Sequence, residues 1–173
     1  MKIVDALLRE LEQEAQTTRR VLERVPDAHL GWKPHEKSMS LGQLALHIAT
    51  VPGGVAELVA QPSFQAPKFV QPSATSTAEL KPALEQAVAR AKQLLGGMDD
   101  DAMAFTVRAM EGDREVMALP RGAFLRAIML NHWYHHRGQL TVYLRQLNVP
   151  VPSIYGPSAD ENPFAVPAAA ALA

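Results

Sequence analysis

Asn131-His132-Trp133-Tyr134-His135-His136-Arg137-Gly138-Gln139 lies inside a long amphipathic segment, and its spacing decides how the rest of the chain is read. Residues four apart share one face of an α-helix and stand about 6 Å apart along its axis. His132 and His136 have that spacing, and two imidazoles so placed can grip one metal ion. His132 and His135, three apart, can also meet on one face, and spacing leaves that choice open. A third imidazole from another helix would complete a three-histidine site. The upstream His47 is the candidate.

The segment repeats Leu125, Ile128, His132, His135 (or His136), Gln139 and Tyr143 along its expected inward face. Unpaired buried polar groups cost about 1–3 kcal/mol each. A metal ion would give two of the histidines a partner. His47 makes the same argument, because it replaces an aliphatic residue between Leu44 and Val51. The competing reading has these histidines hydrogen-bonded to backbone or to one another. Inward histidines on two separate helices favour the metal. Each ligand's other ring nitrogen needs a partner. Gln139, one turn beyond His136, and Gln43, one turn before His47, are candidates, although Gln43 has a rival capping role. Arg137 points away from the ligand face and is expected to pair with an acidic residue elsewhere. Gly138 costs about 1 kcal/mol in a helix interior relative to alanine, which suggests close approach of another backbone. His29 and His35 read as surface residues beside Trp32 and Pro34.

Working outward, Ile3, Leu7, Leu11, Ala15, Thr18 and Leu22 recur at helical spacing and predict a first helix over residues 2–24. Ser40 and Gln43 form a capping box that starts a second helix near Leu41. Leu44, His47, Val51, Val55 and Leu58 form its stripe. Pro52-Gly53-Gly54 predicts a kink or break in it. Pro62, Pro67 and Pro72 make residues 61–77 a long loop, of a kind more often functional than idle. Ser76 and Glu79 form a second capping box, opening a third helix through Leu95 that Gly96-Gly97 closes. Asp99-Asp100-Asp101 reads as a solvated turn with a helix cap. Residues 105–119 lack helical period and flank Glu111-Gly112-Asp113, as a small hairpin or extended loop would. Pro120 fits the first turn of a fourth helix running to about Leu147. Val149-Pro150-Val151-Pro152 stops it, and the tail to Ala173 is expected to lie extended over the helices. The pattern predicts an all-α four-helix bundle in a single domain, residues 1–173, with a long loop after the second helix and an extended C-terminal tail.

Composition narrows the function. Among 173 residues, Lys+Arg 17 against Asp+Glu 18 leaves a formal charge of -1, with no basic excess to recommend nucleic acid as a partner. There is no cysteine, hence no disulfide, thiolate site or cysteine nucleophile. Met1-Lys2-Ile3-Val4-Asp5 becomes acidic before a signal peptide core could form, and no uninterrupted apolar run is long enough to span a bilayer. A cytoplasmic protein without a membrane partner is expected. No Ser-His-Asp order, phosphate loop, Rossmann fingerprint or paired-carboxylate pattern occurs. Three neutral imidazoles suit zinc, nickel, cobalt or ferrous iron rather than magnesium or calcium. With three protein ligands, a tetrahedral ion keeps one position open for water or substrate. The ion could then lower the pKa of a bound water or thiol. Asp160 and Glu161 in the tail are weak candidates for proton acceptors.

Four stretches together resemble one family. They are Trp32-Lys33-Pro34, Ser40-Leu41-Gly42-Gln43-Leu44-Ala45-Leu46-His47-Ile48-Ala49, His132-Trp133-Tyr134-His135-His136-Arg137-Gly138-Gln139-Leu140, and Val151-Pro152-Ser153-Ile154-Tyr155-Gly156-Pro157-Ser158-Ala159-Asp160-Glu161. On these the chain resembles the DinB/YfiT-like superfamily of small metal-binding four-helix proteins, over most of its length. The resemblance implies a triad of one histidine on the second helix and an i, i+4 pair on the fourth, which are His47, His132 and His136. His135 then becomes a supporting neighbour. Homodimers, and transferases or isomerases that use low-molecular-weight thiols such as mycothiol or bacillithiol, are what the resemblance implies further. The expected function is a metal-dependent enzyme, with zinc or nickel, that activates water (a hydrolase) or a small thiol (an S-transferase) against a small-molecule substrate. The alternative is a non-catalytic, stress-related dimeric module that merely binds the ion.

Overall fold

Four apolar periodicities become four long helices, and a small sheet joins them. The computed structural model of the chain describes residues 2–67 and 71–165. Its elements are α1 (Ile3–Leu22), α2 (Leu41–Ala60), β1 (Ser63–Gln65), α3 (Leu80–Leu95), α4 (Asp100–Ala104), β2 (Thr106–Glu111), β3 (Arg114–Pro120), α5 (Arg121–Phe124) and α6 (His132–Gln146). A π-helical segment, Leu125–Asn131, joins α5 to α6, so the three together make the fourth long helix. Ser40 and Gln43 form the expected reciprocal cap of α2. Asp99 caps α4 by accepting from the Ala102 amide at 2.8 Å. Val4, Leu7 and Leu11 of α1 pack with Leu44, Ile48, Leu84, Ala91, Leu125 and Trp133 in one continuous core.

The all-α expectation is corrected to a mostly helical fold with a three-stranded sheet, order β1-β2-β3. β2 and β3 are an antiparallel hairpin turning at Gly112, whose φ of 59° suits glycine. β1 runs parallel to β2, with Ser63 opposite Arg108 and Gln65 opposite Met110. Three residues are too few to show a period of two. The hydrogen-bonding partner of β1 also lies more than 40 residues downstream, so no local signal marks it. Pro120 ends β3 instead of opening the helix.

α2 is not broken at Pro52. Proline cannot donate to the carbonyl four residues back, which leaves the Ile48 oxygen without its helical partner. The buried Trp133 indole Nε1–H fills that place at 2.8 Å. At Gly53 a Cβ would stand 2.9 Å from the Ala87 Cα, so glycine there lets α2 and α3 come into close contact. Pro52 and Gly53, which with Gly54 predict a kink or break, instead join α2 to its neighbouring helices. By length and mean hydropathy, 1.2, α2 could cross a bilayer, but Gln43, His47 and Glu57 interrupt its apolar run, as the sequence expectation has it. Half of that window is buried within the protein, and Leu44, Ala45, Ile48 and Ala49 are core residues, as in the central helix of a bundle.

The inward face of the fourth helix also differs from the expected one. Leu125, Met129, Trp133, Arg137, Leu140 and Leu144 are buried, whereas His135 and Gln139 are exposed. Arg137 does form an ion pair, but inside the protein. It is 1% exposed, 2.6 Å from a Glu14 carboxylate oxygen on α1, and donates to the Thr18 hydroxyl at 3.1 Å. The Tyr134 and Tyr155 rings both lie beside its guanidinium, each centroid 5.2 Å from it. One turn away, Arg126 and Tyr134 both bond to Glu10 of α1, each through a 2.8 Å contact.

No backbone approaches Gly138, where an added Cβ would meet nothing within 4 Å. Gly138→Ala should therefore stabilise the protein by about 1 kcal/mol through helix propensity alone. A higher midpoint in denaturant at unchanged slope is the expected result; a lower midpoint would contradict it.

The described part of the tail is tied down by its acidic residues. Asp160 pairs with Arg145 and accepts from the Val151 amide at 2.8 Å. Glu161 pairs with Arg20 and accepts from the Ser153 amide at 3.2 Å. Residues 166–173, where the extended tail was also expected, lie outside the described residues, as do 68–70 of the loop after α2.

Candidate metal centre

Histidine reaches this site from two helices, and each arrives for a local reason. His47 lies on α2 two turns past the Ser40 cap, one position short of the buried Ile48, so its ring sits at the half-buried edge of the core. His132 opens α6 where the π segment ends. In an α-helix its amide would bond to Ile128, four residues back. Here that amide donates to Ala127, five back, and bypasses the Ile128 carbonyl. The bypassed carbonyl accepts a hydrogen bond from the His132 ring instead. The π slip, a feature often found at functional sites, thus aims one imidazole.

His47 Nε2 and His132 Nε2 stand 3.2 Å apart. Ring centroids of His132 and His136 are 4.4 Å apart, and those of His47 and His136 are 4.7 Å apart. One ring nitrogen from each of the three lies within 4.8 Å of the other two. His136 Nδ1–H donates to Gln139 Oε1 at 2.7 Å. The Gln71 side chain is close enough to His47 to favour its protonated form. Each ring therefore has an outside polar neighbour: a backbone carbonyl, Gln139 or Gln71.

Burial keeps these rings neutral. It pushes His47 down to about 4, helped by the neighbouring His136 and His132. It also lowers His132 and His136, against the opposing pull of Ile128 on the first and Gln139 on the second. Neutral imidazole is the form that binds metal.

The geometry suits one transition-metal ion. Two nitrogens each about 2.0–2.1 Å from one ion at a tetrahedral angle stand about 3.3 Å apart. The 3.2 Å between His47 and His132 fits that spacing. With His132 and His136 donating outward, the nitrogens that face inward carry lone pairs.

Of the remaining candidates, His135 is exposed and touches the site only through its edge-to-face contact with His136, 5.1 Å between centroids. His29 and His35 are exposed loop residues. Gln43 does not bond His47. Its Oε1 caps Ser40 and its Nε2 donates to the Gln71 carbonyl at 3.0 Å, so it steadies the residue beside that ring. Asp160 and Glu161 are engaged with Arg145 and Arg20. Arg145 lies nine residues past His136, about 13 Å along the helix. The structure thus uses both carboxylates to hold the tail rather than to serve the histidines.

Gln71 escaped the sequence reading. It sits in the proline-rich loop, where no periodicity marks a residue, and only that loop's length hinted at a role. Gln71→Ala should lower metal affinity about 10–100-fold, as loss of such an outer partner does elsewhere. Competition against a chelator reads this directly; unchanged affinity would remove Gln71 from the site.

A cavity of about 520 Å³ adjoins the histidines, with His47 and His132 in its wall. Phe64 of β1 and Phe124 of α5, edge to face at 5.8 Å, form part of it.

Comparison with known proteins points one way. The DinB family profile matches residues 1–163. An uncharacterised protein of Bacillus subtilis (strain 168), YrdA, is 30% identical over 159 residues, covering 91% of each chain. A DinB-like protein of Bacillus cereus ATCC 10987 superposes with a TM-score of 0.69 at 24% identity, over 87% of this chain and 97% of that one. A DinB-like protein of Bacillus subtilis, YjoA, gives 0.64 at 18% identity, over 86% and 97%. These two solved structures share the fold.

Proposed function

The chain belongs to the DinB family, and from that premise we propose that it is a metal-dependent enzyme whose ion is held by His47, His132 and His136. The observation that carries this reading is the inward convergence of three neutral imidazoles, each with an outside polar neighbour.

Zinc or nickel is the proposed ion, since an all-imidazole donor set suits either. Such an ion supplies Lewis acidity toward a water or a small thiol at its open position. The chain's own residues do the rest. Gln139, Gln71 and the Ile128 carbonyl keep a proton on the outer nitrogens and so hold the ring orientations. Phe64 and Phe124 exclude water from the cavity side. Water as nucleophile makes a hydrolase and a thiol makes an S-transferase; a thiol is the choice the family resemblance favours. We further propose a cytoplasmic homodimer acting on a small molecule.

Elemental analysis of untagged protein, purified without chelator, is expected to find close to one equivalent of zinc or nickel. Cobalt-loaded protein titrated with cysteamine should then develop a thiolate-to-cobalt absorption band. Chelation should lower the melting temperature only modestly, because a catalytic ion adds less to folding than a structural one. No stoichiometric metal after resupply would refute the reading. A collapse of the fold on chelation, with no thiol band, would make the ion structural.

A further inference from the structure

We propose that the cavity beside the histidines takes a small molecule with an uncharged, largely apolar body, its reacting end toward His47 and His132 and that body between α2 and the π segment. This rests on the metal-enzyme reading for the word substrate, while the ligand class rests on the cavity itself. Val51, Val55 and Leu58 of α2 line one side of that space, and Phe64, Phe124 and Ile128 line the other. Its volume, about 520 Å³, falls within the range of small-molecule sites, which are mostly apolar with a few placed polar groups.

Charge argues in the same direction. Among the described residues that line the cavity, none is lysine or arginine, and the one formal charge is the carboxylate of Glu57. That carboxylate is turned to the Arg90 guanidinium, 2.8 Å away. Away from the histidines and in the metal-free protein, a charged group would meet no counter-charge among these described residues and would lose its hydration, which is costly.

The sheet acquires a purpose in this arrangement. β1 pairs with β2 so that Phe64 packs edge to face on Phe124 in the cavity wall. The π segment sets Ile128 and His132 in the same wall, an apolar side chain next to a ligand side chain. Body and reacting end of a ligand are thus received by neighbouring residues of one element.

The test uses N-phenyl-1-naphthylamine, a neutral fluorescent probe, with metal-free full-length protein. n-Alkanols from butanol to octanol are then used to displace it. Affinity should rise about fourfold per methylene, the factor expected for burying one such group. Ionised n-alkanoates of matched length should bind at least about tenfold more weakly, because their charge is desolvated without a partner. Gly54→Leu adds bulk at the cavity wall, where a Cβ meets nothing within 4 Å. It should abolish probe binding in a protein at least as stable as the parent, since leucine is the better helix former. Leu58→Gln, which changes polarity at similar size, should weaken the alkanol series without loss of folding.

Flat chain-length dependence, alkanoates as tight as alkanols, or full probe binding by folded Gly54→Leu would each overturn the proposal. Cobalt titrated separately isolates the premise. Cobalt uptake without probe binding sinks this inference alone. Probe binding that obeys the series, in a protein that takes up no cobalt, sinks the metal reading and leaves the ligand class standing.

Discussion

Replacing His132 by alanine is expected to lower metal affinity by more than about a hundredfold, beyond the 10–100-fold usual for loss of an outer partner. His135→Ala should leave it nearly unchanged. The two residues share a helix and a side-chain type, so the comparison isolates position. His132 Nε2 faces His47 at 3.2 Å, whereas His135 is exposed and meets only the ring of His136. Chelator competition with zinc, run alongside thermal melts of the metal-free proteins, provides the measurement. His132 is half-buried at the cavity wall, so its loss should disturb the metal-free fold little. Equal losses for both variants would mean that the site is not the one described.

Glu14→Ala is expected to cost about 3–5 kcal/mol, because it strands a buried cation. Arg137 is 1% exposed, and Glu14 supplies its only carboxylate among the described residues. The Thr18 hydroxyl, the Glu14 carbonyl and the Tyr155 hydroxyl would remain as neutral partners. For a chain of this size the loss corresponds to a melting temperature lower by about 6–20 °C. Combining Glu14→Leu with Arg137→Met should recover most of it, since a well-packed apolar pair avoids the desolvation that the ion pair must overcome. Calorimetry of the single and double variants decides the matter. A single-variant cost below about 1 kcal/mol would place the pair in the class of surface ion pairs.

Much of this was readable from spacing. The helix at Leu41 could be foreseen because Ser40 and Gln43 cap it from within four residues of sequence. Residues 105–119 read from sequence as hairpin or loop alike, since β2 shows its alternation only in Val107 and Ala109. Pro52 misled. Its missing N–H predicts a break in an isolated helix, and the indole that takes over the freed carbonyl lies 85 residues away. The exposed Gln139 was placed on the inward face because the π segment, which changes the helical period before His132, has no signature in composition.

By itself, then, the sequence determined the four helices, the i, i+4 relation of His132 and His136, and Gln139 as the acceptor beside His136, because each depends on a period or cap a few residues long. Only the tertiary structure decided that His47 meets His132 across 85 residues, that Gln71 comes from a loop to hold it, and that β1 lays Phe64 on the cavity wall. Those facts depend on how distant surfaces pack. Packing energy is a property of pairs of elements, and no single stretch of chain contains it. The opening motif therefore supplied two nitrogens and their common face; the bundle supplied the third nitrogen, the orientation and the room for a ligand.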